Sequence, residues 1–525
     1  MQATDNSIPD WLQHRARSTP DRLALLCGGD RLTFADLDVA VDAIGLHLRN
    51  EGVRPGEVIG VLARNSTAFV ITAHAIARIE AVLMPLNLRL TRTELAWQLR
   101  DAGAHRLLHD ESQREVALVL RGDLAPLQLM AIEGLTPPPG PLPVYGEGER
   151  SGIGAVVVPT TSGASPSPPA GRGLGAGETR FALDATNSLV YTSGTTGTPK
   201  GAVLTYGNHL WSAIGSALNL GLRDDDRWLA CLPLFHVGGL AILLRGAIYG
   251  TTAVVHESFD AARVNASIDR DGVTIISVVA NMLQRMLDER GDRPYPSSLR
   301  CVLLGGGPAP EPLLRRCAAL GVPVVQTYGL TEAASQVATL SPEDALRKLG
   351  SAGKPLFGTE LRIEASDGTV LPTGAEGEIV VRGPTVTPGY LNRPEATAQA
   401  IRDGWLHTGD IGYLDGEGYL YVLDRRDDLI VSGGENVYPA EIEAVLQSHP
   451  SVLEAGVYGA PDERWGQVPL AAVVLRPGAS VTPEALITHC REHLAAYKTP
   501  ARIELRDELP RNAAGKLMRR QLAKA

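Results

Sequence analysis

Short apolar runs and amphipathic stretches take turns along most of this chain. "EVIGVL" at 57–62 is β-rich and is followed by "AFVITAHAIA" at 68–77, which suits a helix. "TIISVV" at 274–279 leads in the same way into a helical pattern over 280–288. Alternation of this kind predicts helices laid on a largely parallel sheet. From 356 to 423 the pattern changes to short strands split by Gly and Pro, such as "GEIVVRG" and "GYLYVL", which predict a small antiparallel, barrel-like unit.

After "DRRDDLI" a separate unit begins. Pro439 opens a helix with Ile442, Val445 and Leu446 at helical spacing. Strands follow at 453–458 and 470–475. A second helix is capped by Thr482, carries Pro483 in its first turn, and sets Leu486, Cys490 and Leu494 on one face. The expected fold class is therefore α/β. A large N-terminal domain over 1–426, with a barrel-like subdomain, precedes a small α+β C-terminal domain over 427–525. The segment 136–180 breaks the alternation with "TPPPGPLP" and "TTSGASPSPPAGRGLGAGE". Such a composition cannot build a core and is expected to form a long, mobile surface insertion.

Composition narrows the function. With 525 residues, 44% of them apolar, the chain can bury a sizeable core. Its apolar runs are too short to span a bilayer. The first residues have neither a basic start nor an apolar block, so no secretory leader is expected. A net charge of −10 argues against a nucleic-acid binder. Cys27, Cys231, Cys301, Cys317 and Cys490 are scattered and never paired as CxxC, which points to a reducing cytoplasm without a disulfide frame or zinc site.

The stretch "TSGTTGTPKG" at 192–201 carries the first chemical signal. Gly194 and Gly197 free the backbone to bring N–H groups close to an anion. Thr192, Ser193, Thr195, Thr196 and Thr198 add hydroxyls, and Lys200 adds a charge. A strand leading into such a loop makes a phosphate nest. The P-loop pattern fails, because Pro199 precedes the lysine and Gly201 follows it. Taken alone, the stretch reads either as a phosphate site or as a flexible turn.

Six further motifs follow in order: "LPLFHVGG" (232–239), "LLGGGPAP" (303–310), "QTYGLTE" (326–332), "GWLHTGD" (404–410), "DRRDDLIVSGGENVYPAEIE" (424–443) and "LPRNAAGKLMRR" (509–520). Together with the loop, this series resembles the adenylate-forming superfamily of acyl- and aryl-CoA ligases, peptide-synthetase adenylation domains and luciferases. "YPSSLRCVLLGGGPAP", "QTYGLTEAASQ" and "GSAGKPLF" are similar to one branch, the 2-succinylbenzoate–CoA ligases of menaquinone (vitamin K2) biosynthesis. The resemblance implies an acid–thiol ligase that uses ATP, Mg²⁺ and coenzyme A. In it a carboxylate attacks the α-phosphorus of ATP, pyrophosphate leaves, and CoA then displaces AMP. A ligase for another aryl or fatty acid, or an enzyme that loads a carrier protein, is the alternative. The implied partners are small molecules in the cytoplasm, with no nucleic acid and no membrane span. The sequence leaves open whether the chain works alone or as a homodimer.

The resemblance also implies residue roles. Lys516 would bridge the attacking carboxylate and the α-phosphate. Glu332 would hold Mg²⁺, with Thr331 on the α-phosphate. Taken alone, "TE" reads equally as a helix start, with Thr331 as N-cap. The loop residues Thr192, Ser193, Gly194, Thr195, Thr196 and Lys200 would cradle phosphates. Gly305, Gly306 and Gly307 would let the purine lie on backbone, and Tyr328, between Thr327 and Gly329, would stack on it. Asp410 would accept from the ribose hydroxyls, helped by Arg425. Asp427 would be the hinge about which a mobile C-terminal domain turns. Gly433 and Gly434 would then flank the pantetheine channel.

His236 sits between apolar neighbours, a setting usual for a satisfied core histidine. In the family it would gate the acyl and adenylate sites. Arg245, alone in the apolar run "AILLRGAIYG", must snorkel to water or meet an anion. The second carboxylate of 2-succinylbenzoate would supply one. Gly238, Ser335 and Gln336 would line the same acyl pocket. The run Asp224–Asp226 reads as a solvated loop.

Overall fold

The computed structural model describes residues 6–133, 178–192, 199–306, 311–345, 347–424, 430–437, 439–510 and 519–523. Nearly all of the insertion expected at 136–180, and the expected domain division at 426/427, lie outside these residues.

The large body is built on two sheets. One has six strands, with Val58–Leu62, Val82–Pro85, Arg106–His109 and Gln128–Ala131 parallel. The other has nine, with a parallel centre that runs from Leu23–Cys27 through Arg227–Ala230, Ile275–Val278 and Cys301–Leu304 to Val324–Leu330. The alternation at 57–77 appears as strand Val58–Leu62 and helix Thr67–Arg78, and that at 274–288 as Ile275–Val278 and Ala280–Arg290. Thr67–Arg78 is buried from Phe69 onward, and Val237–Tyr249 is buried from Gly239 to Ala247. Both helices share a core with Ile59 and Leu83 of one sheet and Leu25, Val255 and Val325 of the other. Enclosed helices are apolar on most sides, as both of these are, and the buried exceptions need partners: Arg78 meets Asp10, Asp38 and Asp42.

The barrel-like expectation also holds. Glu360–Glu364, Gly377–Arg382, Trp405–Leu414 and Leu420–Asp424 pair antiparallel. In the terminal unit a long hairpin, Val452–Asp462 with Gly466–Leu475, is covered by helices Pro439–Ser448 and Pro483–His493. The expected faces are the buried ones: Ile442, Leu446, Leu486, Cys490 and Leu494 form one core, with Val445 packed against it. The Thr482 hydroxyl accepts from the Ala485 N–H, as a cap should. All five cysteines are free thiols. No helix among the described residues is long and apolar enough to cross a membrane.

Two expectations need correction. Thr331 does not cap a helix: Thr331–Ala333 is one 3₁₀ turn joining the antiparallel strands Val324–Leu330 and Ser335–Thr339, and Leu330 holds the cap position. Asp226 is not a solvated charge. It is 2% exposed and accepts two hydrogen bonds from the Arg300 guanidinium, at 2.8 and 2.6 Å. Burial alone would raise its pKa, but Arg300 and the Thr274 hydroxyl outweigh it and hold the carboxyl below the usual range. Asp224, two residues earlier, is exposed as expected.

Candidate functional site

Parallel strands direct their carboxyl ends to one side of a sheet, and ligands bind there. In the nine-stranded sheet the residues at and just past those ends are Leu232 to His236, Ser277 to Val279, Gly305 and Gly306, and Thr327 to Glu332. Most of them line a cavity of about 1650 Å³, closed from other sides by Tyr191, Thr192 and Lys200, the barrel and the terminal unit.

The 192–201 stretch is bracketed by the two strands of a hairpin. Strand Thr186–Thr192 pairs antiparallel with Lys200–Thr205, and Thr192 faces Lys200 across the ladder. Both line the cavity. Ser193, Gly194, Thr195 and Thr196 lie outside the described residues. The Lys200 ammonium is 5.3 Å from the centre of the Tyr390 ring. The Tyr390 hydroxyl donates to Glu332 Oε1 at 2.9 Å, and the Thr192 hydroxyl reaches the same oxygen at 3.5 Å. The carboxylate of Glu332 thus stands at the foot of the hairpin, beside Thr331, where both line the cavity.

The nucleotide candidates surround the same space. Gly305 and Gly306 follow strand Cys301–Leu304. A Cβ on either would sit 3.0 Å from a neighbouring methyl, of Thr327 or of Val279, and Gly306 has φ +81°. Thr327 and Gly329 line the cavity. Tyr328 packs with Ala333, Val337 and Ile379, and its hydroxyl donates to Asp410 Oδ2 at 2.6 Å. The tyrosine therefore anchors the aspartate expected to meet the ribose. Gly307, Arg425, Asp427 and Lys516 lie outside the described residues.

His236, which the resemblance makes a gate between the acyl and adenylate sites, stands on the cavity wall and not in the core. It precedes helix Val237–Tyr249, its side chain is 46% exposed, and its Nε2 lies 3.1 Å from Glu435 Oε2 of the terminal unit. Glu435 is buried and also accepts from Arg89 at 2.8 Å. Burial would raise the Glu435 pKa, but His236, Arg89 and Lys498 hold it below the usual value. Glu435 follows the two candidate glycines. Gly433 has φ +59° and a Cβ there would strike the Trp465 ring at 2.7 Å. Gly434 has φ +86°, approaches Val279 and lines the cavity.

At the acyl end, Arg245 does not snorkel. It is 3% exposed and lines the cavity. Its Nη2 donates to the Ser212 hydroxyl at 3.0 Å, and the guanidinium lies 5.5 Å from the centre of the Trp228 ring. Its Nε is buried with no hydrogen-bond partner, and no carboxylate among the described residues pairs with it. Burial lowers its pKa, against a small opposing effect of Tyr249, yet a guanidinium stays charged. Gln336 is buried beside Thr327 and Thr339, with Oε1 unpartnered. Ser335 (φ +103°) and Gly238 complete this wall.

Sequence reasoning missed Glu435, Arg89, Tyr390, Ser212 and Trp228. Glu435 stands inside a recognised motif, in which the resemblance points instead to Arg425, Asp427, Gly433 and Gly434. The others carried no local signal.

Comparison with known proteins gives consistent results. A family profile described as "AMP-binding enzyme" matches residues 12–391, and one described as "AMP-binding enzyme C-terminal domain" matches 441–516. A 2-succinylbenzoate–CoA ligase of Geobacillus sp. (strain WCH70) is 50% identical over 516 residues, covering 98% of this chain and 97% of that protein. Among solved structures, a double mutant of the o-succinylbenzoate CoA synthetase of Bacillus subtilis, bound to the product analogue OSB-NCoA, aligns with TM-score 0.86 at 44% identity over 99% of both chains. The same B. subtilis enzyme in complex with the acyl-adenylate intermediate OSB-AMP aligns with TM-score 0.71, again at 44% identity over 99% of both chains.

Proposed function

This chain belongs to the AMP-binding enzyme family, and from that premise we propose that it joins 2-succinylbenzoate to coenzyme A through an acyl-adenylate. The carboxylate of the succinyl arm attacks the α-phosphorus of ATP and pyrophosphate leaves. The thiol of CoA then attacks the acyl carbon, and AMP leaves with the bonding pair. The observation that carries this reading is Arg245. A buried cation with no carboxylate partner among the described residues shares one cavity with Thr192, Lys200, Glu332 and Asp410. An acid with a second carboxylate supplies the missing partner; a monocarboxylic acid leaves it missing.

The roles then distribute along the cavity. The 192–201 hairpin and Lys200 hold phosphates, and Thr331 assists at the α-phosphate. Glu332 suits Mg²⁺, which prefers carboxylate and phosphate oxygens, because its carboxylate faces the cavity beside that hairpin. The ion would offset phosphate charge during adenylation. Asp410, held by Tyr328, meets the ribose. Lys516 bridges the two reacting anions, and such preorganised charge is the main source of rate in a reaction of this class. On this reading the units are 1–426 and 427–525, with Asp427 as the hinge.

We assign the arrangement described above to the thioester-forming step. The better match to the product-analogue complex than to the acyl-adenylate complex, at equal identity, supports this. So does the approach of Gly434 and Glu435 to Val279 and His236 at the cavity. The use of ATP and CoA as co-substrates supports a cytoplasmic setting.

Mass spectrometry of the CoA products from a panel of acids, with ATP and Mg²⁺, tests the reading. 2-Succinylbenzoate should lead by kcat/KM. Faster turnover of simple benzoates or fatty acids would overturn it.

A further inference from the structure

The terminal unit carries a second group of donor side chains, outside the cavity lining. His489, Glu492 and His493 stand at i, i+3 and i+4 on helix Pro483–His493, so they share one face. One nitrogen from each imidazole and a carboxylate oxygen of Glu492 all lie within 4.8 Å of one another. The three are exposed or half-buried, so the group is open to solvent.

The hydrogen bonds fix which nitrogens are free. His493 Nδ1 lies 2.8 Å from the backbone carbonyl of His489. A carbonyl only accepts, so Nδ1 carries the proton and Nε2 keeps a lone pair. His489 Nε2 lies 3.1 Å from the Val445 carbonyl and 3.0 Å from the Ser448 hydroxyl, so its proton sits there and Nδ1 keeps the lone pair. Metal-binding histidines are held in this way, the second ring nitrogen donating to a carbonyl that sets tautomer and orientation. His449 lies edge-on, 5.2 Å from the His489 ring centre. Its Nδ1 accepts from the Ser451 N–H, which leaves it outside the donor set.

We propose that His489, Glu492 and His493 form a binding site for a divalent transition cation of the zinc class. Two neutral imidazoles and one carboxylate are the donors such ions take, with a fourth position left for water. Mg²⁺ prefers oxygen ligands and does not compete well for this set. Three ligands from a single turn make a site that loads and releases its ion rather than one that holds the fold together. The site lies at the seam with the large body, where the Thr91 hydroxyl approaches the His493 carbonyl at 3.5 Å.

Calorimetric titration of the full, untagged, EDTA-treated chain with ZnCl₂ in excess Mg²⁺ tests this, with the visible absorption of added Co²⁺ as a second readout. One Zn²⁺ should bind per chain. His489→Ala and His493→Gln should each weaken binding by about tenfold or more, and Glu492→Gln by less. His493→Gln retains a side-chain donor for the His489 carbonyl, so it decides the matter if His489→Ala fails to fold. Absence of stoichiometric binding, or equal affinity in wild type and His493→Gln, would overturn the site.

Discussion

The ammonium of Lys498 stands 2.9 Å from Glu94 of the large body and 2.7 Å from Glu441 of its own unit, with all three side chains at most 10% exposed. It is a buried cation shared between two carboxylates that face each other across the seam. Burial works against its charge, but Glu441, Tyr497 and Glu94 outweigh that and raise its pKa. The Glu94 carboxylate also accepts from the N–H and hydroxyl of Thr91, which caps helix Arg92–Asp101, so the body presents it rigidly.

Removing either end of this contact should have different effects. Lys498→Met leaves Glu441 buried without a partner and should destabilise the terminal unit by about 3 kcal/mol, read by urea unfolding. Glu94→Gln keeps the Thr91 cap and the Lys498–Glu441 pair, and weakens only the docking. It should slow CoA consumption from preformed acyl-adenylate and leave pyrophosphate release unchanged. An equal fall in both half-reactions would refute the assignment of this arrangement to the second step.

Acid should loosen the same seam through Glu435. Its folded-state carboxyl binds a proton less tightly than the unfolded one. Its contribution is therefore complete above the ordinary carboxylate range and is lost as pH falls through the depressed value. Small-angle scattering at falling pH should show the terminal unit separating from the body. In Glu435→Gln, which has no charge to lose, that part of the pH dependence should be absent.

Arg245→Met should discriminate between acids. The loss of a hydrogen-bonded ion contact costs about 1.5–3 kcal/mol, so kcat/KM for 2-succinylbenzoate should fall about 10- to 150-fold. A simple benzoate, which lacks the second carboxylate, should lose little. Parallel losses for both acids would show that the arginine only supports the fold.

Neighbouring glycines in "LPLFHVGG" should respond in opposite ways. A Cβ on Gly239 would meet the Pro233 carbonyl oxygen at 2.4 Å, inside the tight turn before the helix. Gly239→Ala should destabilise by about 1–3 kcal/mol or more. A Cβ on Gly238 meets nothing closer than 3.9 Å, and Gly238 faces the cavity. Gly238→Ala should leave the melting temperature unchanged or slightly raised, since alanine favours a helix, and should act on KM for the acid.

Much of this molecule is legible in its amino-acid sequence. The alternation over 57–77 and 274–288, the small antiparallel unit and the helix faces Ile442/Leu446 and Leu486/Cys490 all follow from the period of apolar positions, a local property. The resemblance carried by the ordered motifs points to Thr192, Lys200, Glu332 and Asp410, the lone cation in an apolar run points to Arg245, and the structure sets all five around one cavity. What could not be read was burial and pairing at long range. Asp226 looked like a solvated charge and proved to be bound by Arg300, 74 residues away. His236 is expected as a gate, but nothing in its neighbours along the chain names its partner, Glu435, 199 residues away.

The amino-acid sequence thus determined the elements, their order and the chemical kinds of side chain available, because helix and strand periods, caps and turns depend on neighbours along the chain. The tertiary structure alone decided that Lys498 meets Glu94, that Glu435 meets His236, and that Arg245 is sealed from water with one face on the cavity. Those contacts depend on which faces pack together and how much water they exclude, and a charge gains or loses its partner only when that packing is complete.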